Sequence, residues 1–136
     1  MIKKKVTYTD YNGNERTEEH HFHLNKAELT EMELSVDGGL SNYYQKIVDS
    51  QSVPELAKIF KELLLKSYGV KTDEGRVFEK SEELSRKFSQ SAAYETMYMD
   101  LASNTELAAK FANGIIPANF EKEIAKLNAN NEGNNA

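Results

Sequence analysis

Cysteine is absent from this chain, and with it go disulfides, thiolate metal sites and cysteine nucleophiles, as expected of a protein kept in a reducing cytoplasm. Long apolar runs are absent too. The longest, Leu63–Leu65, falls far short of the ~18 residues that a membrane-spanning helix needs, so no membrane partner is expected. The basic opening MIKKKVTYTD has no apolar stretch behind it, which argues against a secretory signal. Positive charge is in deficit, with 17 Lys and Arg against 22 Asp and Glu, and a net charge of −5 argues against binding a phosphate backbone. No GxSxG, phosphate loop or glycine-rich nucleotide fingerprint occurs, and no cofactor is expected. Tryptophan is missing, whereas tyrosine is used seven times.

What remains is enough for one core and not two. A chain of 136 residues with 39% hydrophobic and 29% charged residues reads as a single soluble domain with a thin core and a wide solvated surface. We place that domain at residues 1–127: a β-hairpin over 2–24, then helices over 25–127. The Asn-rich end, 128–136, reads as a disordered tail. The fold class expected is α+β, mainly α, with the N-terminal hairpin packed on a bundle of short helices.

The hairpin rests on a period-2 pattern. Ile2, Val6 and Tyr8 fall on even positions, as do Phe22 and Leu24, around the turn Asp10-Tyr11-Asn12-Gly13-Asn14. A two-residue Asn-Gly loop would set even residues of one strand opposite odd residues of the other, and the apolar sets would lie on opposite faces. A three-residue loop, Tyr11-Asn12-Gly13, with Asp10 opening the turn and Gly13 left-handed, puts Phe22 opposite Ile2 and both apolar rows on one face. The second register is the one predicted.

Leu24-Asn25-Lys26-Ala27-Glu28-Leu29 is a helix start: Asn25 caps, Glu28 returns the bond, and Leu24 staples onto Leu29. That helix should stop at Gly38-Gly39. Leu40, Tyr43, Tyr44, Ile47 and Val48 mark a second helix. The third starts at Ser52-Val53-Pro54-Glu55, buries Leu56, Ile59, Phe60, Leu63 and Leu64, and is expected to end at Gly69. A turn-rich link around Asp73-Glu74-Gly75 follows, compatible with a small second hairpin. Then come a short helix from Ser81 to Lys87, one carrying Tyr94, Met97, Tyr98 and Leu101, and one carrying Leu107, Ala108, Phe111 and Ala112. Gly114 is expected to close the last of these, with Pro117 preventing its resumption, and Phe120, Ile124 and Leu127 suit a final helix.

Candidate chemistry is sparse. His21 and His23 share one side of a strand and His20 the other, but a stable zinc site wants a third or fourth ligand, and none sits at a fixed spacing. Solvent-facing strand histidines are the reading preferred, with no metal. Glu18, Glu19, Glu28, Glu31, Glu33, Asp73, Glu74, Glu82 and Glu83 lie mostly in helix first turns or on exposed faces, where the macrodipole and solubility explain them, and no acid/base pair can be read. The tyrosines are more telling. Tyr94 and Tyr98 share a helix with Met97 and Met99, a pattern open to two readings: core packing, or an adaptable face for another chain. On the second reading Tyr94, Met97, Tyr98 and Leu101 form a partner-binding stripe.

Four segments in order, VTYTDYNGNERTE, NKAELTEMELS, SYGVKTDEGRVFEKS and FSQSAAYETMYMDLASNTELAAKFANGIIP, together resemble the tail assembly chaperones of long-tailed phages and prophages of low-GC Gram-positive hosts. None is a catalytic motif, so the resemblance lies in their combination. It implies a non-enzymatic protein of the host cytoplasm, absent from the mature virion, that binds the tape measure protein and helps bring tail tube protein onto it. Self-association through a similar face would suit the coating of a long client. The resemblance also implies that a frameshifted, longer form can exist, and residues 128–136 would suit such a junction. The competing functions are a small phage protein that blocks a host factor and a minor structural protein of the virion.

Overall fold

Strand β1 (Ile2–Thr9) and strand β2 (Glu15–Phe22) pair antiparallel, with Ile2 opposite Phe22 and Thr9 opposite Glu15. The computed structural model describes residues 1–35, 38, 39, 42, 45, 49 and 53–115. The register follows from the turn. Gly13, at φ +83°, takes the left-handed conformation that only glycine adopts cheaply. Its amide donates to the Asp10 carbonyl at 3.0 Å, and the Asp10 amide donates to Asn14 at 2.8 Å. The Asp10 carboxylate accepts from the Asn12 and Asn14 amides and pairs with Arg16, which holds its pKa below the ordinary value. The three-residue loop read from the apolar pattern is the one formed, and Val6 and Phe22 are both buried.

Helix α1 (Lys26–Ser35) begins with reciprocal capping. The Glu28 amide donates to the Asn25 side chain at 2.8 Å, and the Asn25 amide donates to the Glu28 carboxylate at 3.1 Å. Lys80 then clamps both oxygens of that carboxylate, at 2.8 and 2.6 Å. The staple is present as well, since Leu24 and Leu29 are both buried in the core. Beyond Ser35, Gly38 and Gly39 have φ of +81° and +77°, as a helix stop requires.

Helix α2 (Val53–Ser67) supplies Phe60, Leu63 and Leu64 to the centre of the core, with Ile59 packed against it. The chain then turns directly into strand β3 (Tyr68–Lys71), which lies beside β2, with Gly69 opposite His21 and Tyr68 opposite Phe22. Strand β4 (Phe78–Glu79) completes a sheet of order β1-β2-β3-β4. The Ser67 carbonyl accepts from the His23 amide at 2.8 Å, tying the end of α2 to the end of the hairpin.

Two glycines differ from expectation. Gly69 does not end a helix; α2 stops at Ser67, and Gly69 sits inside β3. A side chain there would come within 2.6 Å of the Phe78 ring and 2.8 Å of the Glu79 carbonyl, so the glycine is needed for space between strands. Gly114 likewise does not close its helix, which continues to Ile115. A Cβ at Gly114 would meet Ile2 at 2.7 Å, so the glycine lets the helix approach β1.

Three more helices follow: α3 (Glu82–Ser89), capped by Ser81; α4 (Ala92–Ser103), capped by Ser91; and α5 (Thr105–Ile115), where the Asn104 side chain accepts from the Glu106 and Leu107 amides. Helix α4 packs on β1, α2 and α5. The expected helix of Leu40, Tyr43, Tyr44, Ile47 and Val48, the start at Ser52, the side chain of Leu56, Pro117, the Phe120–Ile124–Leu127 helix and the tail 128–136 lie outside the described residues. The fold class is α+β, mainly α.

Leu63 has no exposed surface. Leu63→Ala should therefore cost about 2–5 kcal/mol in urea unfolding, the range for a large-to-small change in a packed core. A loss under about 0.5 kcal/mol would be typical of a surface site and would contradict this packing.

Candidate partner-binding surface

Helix α4 carries the stripe singled out from the sequence, and its burial splits that stripe in two. Met97 and Leu101 are 0% exposed and belong to the core, whereas Tyr94 and Tyr98 are half-buried. Met97 and Leu101 thus follow the core-packing reading of the stripe, and the two tyrosines are the part of it that reaches the surface. Helix α4 packs against β1, α2, α3 and α5, and within that packing these two positions are fully enclosed while the tyrosines are not.

The tyrosines end a continuous run of aromatic contacts. Phe111 meets Phe22 edge-on at 5.3 Å, and Phe22 meets Phe88 edge-on at 5.8 Å. Tyr94 meets Phe88 edge-on at 5.6 Å and lies tilted against Tyr98 at 5.9 Å. Tyr68 stacks face to face on Phe88 at 4.1 Å. Each pair adds about 0.5–1.5 kcal/mol beyond area burial, so the half-buried rings are held in place from the inside. Burial raises the phenol pKa of Tyr94 and of Tyr68, which keeps both neutral. The result is a rigid, apolar patch with hydroxyl tips. Tyr68 and Phe88 were not singled out from the sequence, because only the fold brings the start of β3 against α3. On the outward side of α4 and α5, Met99 is 58% and Leu107 37% exposed.

The histidines occupy different surroundings from those expected. His20 faces inward, its ring 5.5 Å from Phe88 and 6.3 Å from Tyr68. His23 lies 6.2 Å from Phe78. Among the described residues no group of three or more metal-ligating side chains is assembled. An open groove of about 380 Å³ runs beside α1, lined by Leu24, Glu28, Glu31, Met32, Ser35 and Lys66. Its Glu28 is already committed to the helix cap and to Lys80. Two carboxylates and a lysine on an open wall do not form a nucleophile, base and oxyanion site.

These features define a small α+β module with a half-buried aromatic rim. A family model described as phage tail assembly chaperone matches residues 1–135, and the chain belongs to that family. It is accordingly a phage protein of tail assembly whose work is binding tail proteins. No curated protein and no solved structure matches the chain.

Burial lowers the pKa of His20 and of His23 from the ordinary value of 6.5, while Glu18 opposes the shift at His20 and His21 adds to it. The buried Nε2 of His20 has no hydrogen-bond partner among the described residues. The unfolded chain thus binds more protons than the folded one between the two pKa values. This contribution to stability is present above the ordinary histidine value and lost as pH falls through the lowered, folded value. Urea midpoints should fall as pH is taken from 7 to 5, and His20→Phe should flatten that fall. An unchanged slope in the variant would assign the pH dependence to other groups.

Proposed function

We propose that this chain binds the tape measure protein of its phage in the host cytoplasm, keeps it soluble, and then assists tail tube protein to assemble on it, without entering the finished virion. The match to the chaperone family over residues 1–135 is the observation that supports this reading most. The aromatic rim of α4 supports the manner of binding. Tyr94 and Tyr98 offer apolar area at small entropic cost, because packing already fixes their rings. Exposed Met99, on the outward side of the same helix, adds an adaptable contact. A long client needs many such weak contacts and no deep pocket. A net charge of −5 gives little attraction toward an acidic client, so the contact is chiefly apolar.

Co-expression with the tape measure protein, followed by affinity capture, tests this reading. The client should be recovered soluble, and the complex should persist at half-molar salt, where exposed charges are screened within ~4–5 Å. Tyr98→Glu and Met99→Glu should each weaken capture about tenfold or more, with the helical circular dichroism unchanged. Met97→Glu is not a useful probe, since a charge at a fully buried position would unfold the core. A tape measure protein left insoluble beside a well-folded partner would defeat the assignment. Mass spectrometry of purified virions checks the rest: detection of this chain at stoichiometric level would make it a structural component.

A further inference from the structure

We propose that the free edge of β1 docks an acidic, extended segment of another protein, which joins the sheet as an added antiparallel strand. The inference stands whatever the rim of α4 binds. The Asp10 amide donates to the Asn14 carbonyl, so the even-numbered residues of β1 are those bonded to β2. The backbone groups of Lys3, Lys5, Thr7 and Thr9 therefore point away from β2. Among the described residues nothing pairs with them, since β1 is the outermost strand of the sheet. The opposite edge is blunted by brevity, β4 being only the two residues Phe78–Glu79. The eight residues of β1 offer a full ladder to an incoming strand.

Charge decides which strand fits. Lys3, Lys4 and Lys5 stand in succession, the only run of three basic residues in a chain of net charge −5. Among the described residues none of them has an ion-pair partner, although Glu19 stands opposite Lys5. Lys3 and Lys5 are exposed, and Lys4 is half-buried on the face that carries Val6. Edge lysines commonly deter strand pairing. They deter a basic strand and reward an acidic one, because opposite charges across a ladder attract and like charges repel. A deterrent alone would guard the whole edge. Here Val6, Thr7, Tyr8 and Thr9 are uncharged, and no proline interrupts the strand.

The pattern of the partner follows from this edge. Running antiparallel to β1, it sets β-branched residues opposite Thr9 and Thr7 and carboxylates opposite Lys5, Lys4 and Lys3. Opposite Val6 and Ile2 it sets apolar residues, because Val6 belongs to the core and Ile2 packs against it.

A synthetic peptide of that pattern, Thr-Val-Thr-Val-Glu-Glu-Glu-Val, tests the edge on the full-length chain. It should bind with a dissociation constant of about a millimolar or tighter. Amide exchange at Lys3, Lys5, Thr7 and Thr9 should slow as it does. Half-molar salt should weaken binding about tenfold, because exposed ion pairs are screened. Capture through the α4 rim is expected to persist at that salt, so the two contacts succeed or fail separately. The counterpart Thr-Val-Thr-Val-Lys-Lys-Lys-Val should not bind at the same concentration, and Lys3→Glu with Lys5→Glu should shift preference toward it. Thr7→Pro should weaken the acidic peptide about tenfold or more, with helical circular dichroism unchanged, because proline removes an outward amide that β2 does not use. No binding of the acidic peptide, equal binding of both peptides, or binding that leaves those amides exchanging freely overturns the proposal. Protection of the same amides without peptide also overturns it. If that protection is independent of protein concentration, the chain itself covers the edge; if it grows with concentration, a second copy does.

Discussion

The left-handed turn at Gly13 decides which way every side chain of the hairpin points. With φ at +83° and its amide on the Asp10 carbonyl, Gly13 closes a three-residue loop, and Ile2 is forced opposite Phe22. A slip of one residue would turn Val6 to solvent relative to Phe22 and break the shared apolar face. Phe22 would then lose its edge contacts with Phe88 and Phe111, which join the sheet to α3 and α5.

The hairpin, the cap of α1 and the Phe60–Leu63–Leu64 stripe were legible in the sequence because each rests on neighbours within a few residues. The glycines were not. A glycine can mark a backbone angle or a place where something comes close, and only the fold distinguishes the two. Gly13 is of the first kind; Gly69, against Phe78, and Gly114, against Ile2, are of the second. The depth of each residue on the α4 stripe was hidden for a related reason. Helical period shows that Tyr94, Met97, Tyr98 and Leu101 share a side, but depth along that side is set by β1, α2 and α5. His20 was hidden likewise, since Phe88 and Tyr68 reach it from distant sequence.

A binding protein must keep apolar surface available without losing its own core, and α4 shows how one helix serves both ends. Its Met97 and Leu101 are sealed inside, while Tyr94 and Tyr98 sit at the rim on an aromatic run anchored at Phe88. Tyrosine suits that rim because its ring packs and its hydroxyl stays wet. Membership of the tail assembly chaperone family makes binding tail proteins the work of this chain, and our proposal assigns that work to this rim.

The register is open to direct measurement. In an antiparallel sheet the α-protons of residues facing each other in a non-hydrogen-bonded pair lie close together. Nuclear Overhauser spectra of the free protein should therefore show α-proton contacts between Lys5 and Glu19 and between Thr7 and Thr17, two such pairs in this structure. Contacts from Tyr8 to Thr17 in their place would mean a two-residue Asn-Gly loop. The core and the aromatic rim would then be wrong together.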